Sequence, residues 1–407
     1  MQRKFRRENF VAKISSRKFR VFRITLNVHE LNKMANKTQE TNPFSVLAYL
    51  GKDYFCDREN ETKKLFEGLK NGRNITLISP RRMGKTGLIK HVFEEFDSKE
   101  ALCFYVDLDQ TTCLADLVQA FGKVVLKQIG TPSGRVWKEI LTWFKSLRPV
   151  LSAEPATGAP QITLDIKPTE AEASLEEIFG WLEKSKLPCY VAFDEFQVIT
   201  DYPEPKMEAL MRSHIQHLTN VNFIFAGSQK HLMTEMFLAA NRPFFQSTQM
   251  LPLYEIPEDV YFDFAQRHFE RHKQTMPRET FHKLYTTVYG HTWYIQCVLN
   301  RLYQYGIRQI DGQALTLTVN DILEEYKESF RTYCKLLTSN QLSLIKAIAR
   351  EGKVKEIGGQ EFLQKHQPGA PSTIRNALHI LIDKELVAED ENGYSVYDRF
   401  FGLWLRQ

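Results

Sequence analysis

The stretch Asn74–Lys90, NITLISPRRMGKTGLIK, constrains the fold of this chain more than any other. Its apolar start, 75–78, predicts a β-strand, and a helical pattern begins at Gly84-Lys85-Thr86. A strand, a loop and a helix in this order are typical of phosphate-binding loops, because backbone N–H groups at a helix N-terminus can surround an anion. The stretch therefore predicts a site for the phosphates of a nucleotide.

The residues of this predicted loop have separate tasks. In such loops the lysine ammonium neutralises the outer phosphates and the next hydroxyl binds Mg²⁺, and Lys85 and Thr86 occupy these two positions. One residue departs from the pattern G-x-x-x-x-G-K-[ST], since Ser79 replaces the first glycine. The residues predicted to bind the nucleotide are Ser79, Pro80, Arg81, Arg82, Met83, Gly84, Lys85, Thr86 and Gly87.

Two further strands are predicted to end in polar groups. The segment 188–195, PCYVAFDE, reads as a buried strand that delivers two carboxylates. Beside a phosphate loop, one carboxylate can support Mg²⁺ through water and the other can polarise an attacking water molecule. The segment 221–228 is a second buried strand, and its polar tip, Ser228, is expected beside the γ-phosphate.

Strand-like and helical segments alternate across 42–255, which predicts a parallel sheet. In P-loop ATPases with an additional strand, the polar-tipped strand lies between the carboxylate strand and the phosphate-loop strand. The expected strand order is therefore 101–107, 189–193, 222–226, 75–78 and 248–253. The predicted fold class is an α/β P-loop NTPase with this AAA-like strand order, a helical lid and a C-terminal winged helix.

Composition shifts divide the chain into four predicted regions. They are a basic, disordered arm at 1–41, a P-loop ATPase domain at 42–255 with an excursion at 130–170, a helical lid at 256–335 and a winged helix at 336–407. Within the excursion we expect an amphipathic helix at 136–147 and then an exposed linker or hairpin. The lid helices are expected at 257–271, 278–289, 292–305 and 319–334.

The last region has the pattern of a winged helix, with helices predicted at 340–350, 359–365 and 371–384 and strands at 386–388 and 394–396. Ser372 is the expected N-cap of the third helix. The region holds nine Lys/Arg and nine Asp/Glu, and its predicted wing carries Glu389, Asp390 and Glu391. Because an electrically neutral unit with an acidic wing is a poor surface for phosphates, contacts within the chain or with a protein partner are favoured over DNA.

Residues 1–33 contain ten Lys/Arg and two Asp/Glu, and basic residues interrupt any signal-peptide core. Met34 opens a typical polar N-terminus, and we expect translation to start there. A nucleic-acid-binding arm and a transit peptide are the alternatives for 1–33. No apolar run approaches the ~18 residues of a membrane span. Six cysteines without a C-x-x-C pair indicate buried thiols in a reducing, cytoplasmic compartment.

Taken together, these motifs resemble the archaeal-type ATPase family, which belongs to the signal-transduction (STAND) branch of AAA-like P-loop ATPases. The resemblance covers 42–407. The segments that carry it are Phe55–Glu61, Pro80–Thr86, Phe193–Glu195, Gly227-Ser228, Gly290–Tyr294 and the winged-helix tail. It implies a switch that depends on ATP and Mg²⁺.

The resemblance also assigns roles to matching positions. It implies that Lys85 and Thr86 bind phosphates and Mg²⁺ and that Asp194 supports Mg²⁺. Glu195 is then the catalytic base, and Ser228 senses the γ-phosphate.

Three positions modify this expectation. Arg242 is a further catalytic candidate. Thr292 stands where the family usually has proline, which puts in question whether the lid senses the nucleotide. Ser79 in place of glycine is expected to slow ATP turnover without preventing ATP binding.

Three functions stay open at this point. The first is an ATP-hydrolysing switch, which needs Lys85, Asp194 and Glu195 together. The second is an ATP-regulated DNA-binding protein that acts through the winged helix or the arm. The third is a nucleotide-binding scaffold with little hydrolysis whose winged helix docks a protein partner or a second copy.

Overall fold

A five-stranded parallel sheet is the centre of the region 42–255 in the computed structural model. Its strands are β1 (Ile75–Ile78), β2 (Leu102–Asp107), β5 (Cys189–Asp194), β6 (Val221–Gly227) and β7 (Gln249–Pro252). They lie in the order β2-β5-β6-β1-β7, and all four pairings are parallel. The strand order predicted from the sequence is confirmed.

The structure describes residues 41–129, 142–153, 160–366, 370–390 and 392–407. Except for Thr41, the predicted basic arm at 1–41 lies outside these residues, as does the first half of the helix expected at 136–147. In its second half only Thr142 and Trp143 are helical, so the prediction of a helix is wrong for 144–147. Within the described residues, no helix is long and apolar enough to cross a membrane.

Helices cover both faces of the sheet. They are α1 (Glu59–Lys70), α2 (Lys85–Glu94), α3 (Leu114–Ile129), α4 (Ala171–Glu183), α5 (Met207–Ile215) and α6 (Lys230–Leu238). The strands alternate between two apolar cores: in β5, Val191 and Phe193 join the core under α3 to α6, whereas Tyr190 and Ala192 join the core under α1 and α2. Burial on both faces explains why the strands read as continuous apolar runs.

The excursion contains an antiparallel ribbon of β3 (Pro149–Ala153) and β4 (Pro160–Leu164). A hairpin is therefore present where the sequence left a hairpin or a linker open. The ribbon approaches α3 closely at Gly122, since a Cβ atom there would lie 2.7 Å from Leu164 and 3.1 Å from Leu147.

The lid consists of α7 (Glu258–Arg271), α8 (Arg278–Thr287), α9 (Thr292–Tyr305) and α10 (Gly312–Lys335). Three of these match the expected helices closely, but α10 starts at Gly312 rather than 319. The Asp311 side chain caps it by accepting hydrogen bonds from the N–H groups of Gln313 and Ala314. The glycine and threonine residues that follow this cap concealed the helix in the sequence pattern.

The winged helix consists of α11 (Ser339–Glu351), α12 (Gln360–His366), α13 (Pro371–Asp383), β8 (Val387–Asp390), β9 (Gly393–Val396) and α14 (Arg399–Arg406). The prediction that Ser372 caps α13 is wrong: Ala370 is the N-cap, and Pro371 takes the first helical position, which suits its fixed φ. Helix α14 was not predicted. The lid and the winged helix pack into one hydrophobic core, to which α14 contributes Phe400 and Phe401.

Candidate functional site

The loop between β1 and α2 turns through two left-handed residues. Arg82 has a φ of 63°, and Gly84, the N-cap of α2, has a φ of 100°. Glycine adopts such a φ without steric cost, which explains its place directly before the lysine. The loop thus brings the first N–H groups of α2 back towards the end of β1, as a phosphate cradle requires.

Lys85 is buried in this loop with an exposed fraction of 4%. Its ammonium donates hydrogen bonds to the carbonyl oxygens of Ser79 (3.1 Å) and Pro80 (3.3 Å). Burial lowers the pKa of Lys85, while the charges of Glu195 and Asp194 act in the opposite direction. The ammonium is therefore held by neutral acceptors at a place where an anion would be a better partner.

Ser79, Met83 and Gly87 of the loop fit their surroundings without steric clashes. Ser79, at the position of the first glycine, is buried, and its hydroxyl donates to the carbonyl of Pro80 at 3.1 Å. Met83 packs in the core beneath the loop, and a Cβ atom on Gly87 would meet the Phe55 ring at 3.5 Å. The serine therefore fits the loop conformation.

Thr86 and Asp194, the two predicted metal ligands, are in contact. The Thr86 hydroxyl donates to Oδ2 of Asp194 at 2.6 Å, and the Tyr105 hydroxyl donates to the same oxygen at 2.7 Å. Burial and the Asp194 charge raise the pKa of Tyr105, so its hydroxyl remains a donor. These hard oxygen groups at the helix start fit Mg²⁺, which prefers carboxylate, hydroxyl and water ligands.

Glu195 lies on the other side of the cluster in a left-handed conformation with a φ of 54°. Its Oε2 accepts hydrogen bonds from the Gln197 amide at 2.7 Å, the Ser228 hydroxyl at 2.5 Å and the Ser228 N–H at 3.2 Å. Burial raises its pKa, but the bonds from Ser228 and Gln197 and the charge of Lys85 together hold the pKa of Glu195 below its ordinary value. Glu195 is thus an ionised carboxylate near neutral pH.

Arg242 has partners outside this cluster. Its guanidinium pairs with Glu208 at 2.8 Å and with Glu235 at 3.5 Å. These carboxylates belong to α5 and α6, on one face of the sheet. A catalytic role for Arg242 stays a prediction.

Arg81 joins the phosphate loop to the winged helix. Its N–H donates to the Tyr397 hydroxyl at 3.3 Å, and its guanidinium pairs with Glu385 at 3.4 Å. The Nε atom of Arg81 also donates to the Ser228 hydroxyl at 3.3 Å. The expectation that the winged helix packs on the ATPase core agrees with these contacts.

The lid also contacts the phosphate loop. The Arg82 guanidinium lies over the Trp293 ring of α9 at 4.1 Å. His291, the N-cap of α9, lies beside the backbone of Arg81. Burial, reinforced by the charge of Arg399, lowers the pKa of His291 to about 3.

Sequence reasoning missed two residues of this cluster, Tyr105 and Gln197. Tyr105 contacts Asp194 from a neighbouring strand, and Gln197 contacts Glu195 within the turn after β5; a linear pattern reveals neither contact. A weak signal existed for Gln197, a polar residue two positions after the carboxylate pair within the apolar run FQVI.

Comparison with solved structures identifies the architecture. A Walker-type ATPase of Pyrococcus abyssi is 18% identical over 90% of this chain and 100% of its own, with a TM-score of 0.61. The ORC2 protein of Aeropyrum pernix, in ADPNP–ADP complexes, is 15% identical over 90% of this chain and 97% of its own, with a TM-score of 0.55. The ORC1 protein of Aeropyrum pernix, in complex with DNA, is 13% identical over 89% and 95%, with a TM-score of 0.50.

This chain has the fold of an archaeal AAA-like P-loop ATPase. Residues 328–407 match the family model described as a probable winged helix domain, which confirms the C-terminal unit. No curated protein matches the chain in sequence.

The half-buried His291, whose Nδ1 atom is enclosed, should make the stability of this ATPase fold depend on pH. The unfolded chain takes up a proton near the ordinary pKa of 6.5, whereas folded His291 stays neutral down to about pH 3. The contribution of neutral His291 to stability is therefore fully present above pH 6.5 and is lost as the pH falls. Between pH 7 and pH 5 we expect this residue to lower the free energy of unfolding by about 2 kcal/mol.

Urea unfolding at both pH values measures this effect. His291→Gln should lose that part of the pH dependence, whereas His231→Gln, at an exposed histidine of α6, should keep it. Equal pH dependence in wild type and His291→Gln would show that His291 is not buried as a neutral base.

Proposed function

We propose that this protein is a molecular switch that binds ATP with Mg²⁺ and hydrolyses it slowly. The observation that carries the proposal is that Lys85, Thr86, Asp194 and Glu195 meet at one edge of the sheet, with the Thr86–Asp194 contact at 2.6 Å. A fold shared with a Walker-type ATPase and with an ORC2 protein in nucleotide complexes supports it.

The chemistry follows from the contacts of each group. Lys85 would exchange its carbonyl partners for phosphate oxygens, which are anionic and therefore stronger acceptors. Thr86 and Asp194 would hold Mg²⁺, which when bound neutralises charge on the phosphates. Glu195, ionised and turned towards Ser228, is the group that can accept a proton from water.

The contacts of Arg81 favour a switch over an enzyme that turns over freely. In a phosphate loop the backbone N–H groups bind the phosphates, but the N–H of Arg81 is engaged by Tyr397 of the winged helix. A nucleotide whose phosphate accepts a hydrogen bond from this N–H must displace the Tyr397 hydroxyl. Binding of nucleotide to the loop is thereby coupled to the position of the winged helix.

The DNA-binding alternative rests on the winged helix and on the A. pernix ORC1 neighbour in complex with DNA. Helix α13 does expose Arg375 and Asn376. The wing is acidic, however, and Lys353 beside it is already paired with Asp390 at 2.6 Å. We therefore favour contacts within the chain or with a protein partner or second copy; fluorescence anisotropy with duplex DNA at low and physiological salt separates the two.

Lys85→Ala should abolish measurable ATP binding, because the phosphates lose the main charge that compensates them. Isothermal titration calorimetry measures the loss. Lys64→Ala, at an exposed lysine of α1, is the matched control and should bind ATP as the wild type does. Tight ATP binding by Lys85→Ala would refute the site.

Glu195→Gln should bind ATP as the wild type does but hydrolyse it at least ~10²-fold more slowly, the range for loss of a positioned base. Phosphate release under single-turnover conditions measures the chemical step. Glu172→Gln, at an exposed carboxylate of α4, should turn over normally. Unchanged hydrolysis in Glu195→Gln would mean that Glu195 is not the base.

Glu385→Gln should weaken the hold of the winged helix on the loop. The Arg81–Glu385 ion pair is partly exposed, with side-chain exposures of 48% and 37%. It therefore stabilises the contact between loop and winged helix by at most ~1 kcal/mol. Its loss should accelerate ATP association by about two- to fivefold. Stopped-flow fluorescence with a mant-labelled nucleotide measures this rate. Glu361→Gln, exposed on α12, is the control, and slower association in Glu385→Gln would contradict the coupling.

A further inference from the structure

Tyr105 belongs to the Asp194 cluster through the register of the sheet. It lies on β2 opposite Ala192 of β5, two positions before Asp107, which pairs with Asp194. From this place its hydroxyl donates to Asp194 Oδ2 at 2.7 Å. The neighbouring strand, and not the phosphate loop, thus supplies one of the donors to the carboxylate.

Three elements together fix the Asp194 carboxylate. Its Oδ2 accepts from Thr86 of α2 at 2.6 Å and from Tyr105 of β2, while Oδ1 accepts from the N–H of Glu195 at 3.1 Å. Without the Tyr105 bond, the two remaining donors would sit one on each oxygen. The phenol therefore adds the contact that restrains Oδ2 independently of the phosphate loop.

The Tyr105 ring is itself restrained. The Lys90 ammonium lies 5.0 Å from the ring centroid. Lys90 is four residues after Thr86, so both project from the same face of α2 towards Tyr105 and Asp194. A half-buried phenol that is held by one residue and bonded to another has little freedom to turn away.

We propose that Tyr105 is a positioning residue that holds Asp194 in the orientation needed to support Mg²⁺ beside a bound nucleotide. The inference rests on the proposed function, since it assigns Tyr105 to the metal side of that site. Groups that orient a metal-supporting carboxylate act on metal affinity and not on the phosphates that the loop binds directly. Loss of the hydroxyl should therefore appear in the Mg²⁺ dependence of nucleotide binding.

The test compares wild-type protein, Tyr105→Phe and a matched control. The control is Tyr190→Phe, the same change at a tyrosine of β5 that packs on Phe96. Binding of mant-ADP is measured by fluorescence in EDTA and then across a Mg²⁺ titration, and electron paramagnetic resonance with Mn²⁺ in place of Mg²⁺ reports the metal directly. Melting temperatures in EDTA verify that both variants fold.

We expect Tyr105→Phe to bind mant-ADP in EDTA as the wild type does but to need about 10-fold more Mg²⁺ or Mn²⁺, the lower end of the effect of such groups. Tyr190→Phe should show the wild-type metal dependence. The inference alone is overturned if Tyr105→Phe keeps the wild-type metal dependence. It is also overturned if this variant loses as much affinity for mant-ADP in EDTA as it loses in Mg²⁺. If mant-ADP binding by the wild-type protein is independent of Mg²⁺, both the inference and the proposed metal dependence are overturned.

Discussion

The burial of the Lys85 ammonium is the constraint on which the rest of the site depends. Lys85 as a whole has an exposed fraction of 4%, so its ammonium loses hydration, and two neutral carbonyl groups take the place of water. The carboxylates of Asp194 and Glu195 partly offset the penalty through their charge. Under the proposed function, this buried cation and its two neighbouring anions would receive a ligand that brings phosphates and a divalent cation together.

This arrangement follows from the sheet. Parallel strands place their carboxyl ends at one edge, so the ends of β1, β5 and β6 bring Lys85, the Asp194-Glu195 pair and Ser228 to the same place. The strand order could be predicted because the apolar runs, two of which end in Asp194-Glu195 and in Ser228, matched the order known for P-loop ATPases with an additional strand. The same polar ends identified most of the candidate site.

What the sequence did not reveal has physical causes. Tyr105 and Gln197 look like ordinary strand and turn residues, and only the lateral register of β2 against β5, or the turn after β5, brings them to the carboxylates. Helix α14 begins at Arg399, with only two residues between it and β9, so no loop pattern separates it from the wing in the sequence. Ser372 satisfied a capping rule, but Pro371 one position earlier sets the helix start.

The hydroxyl of Ser228 connects Glu195, the proposed base, to the winged helix. A serine hydroxyl has a single hydrogen to donate, and here it goes to Glu195 while the oxygen accepts from Arg81. Arg81 in turn pairs with Glu385 of the winged helix. A shift of Arg81 therefore changes the acceptor side of Ser228, and with it the restraint on Glu195. This path uses two hydrogen bonds and one ion pair. Under the proposed function, it would therefore carry a movement of the winged helix to Glu195 without any change in the sheet.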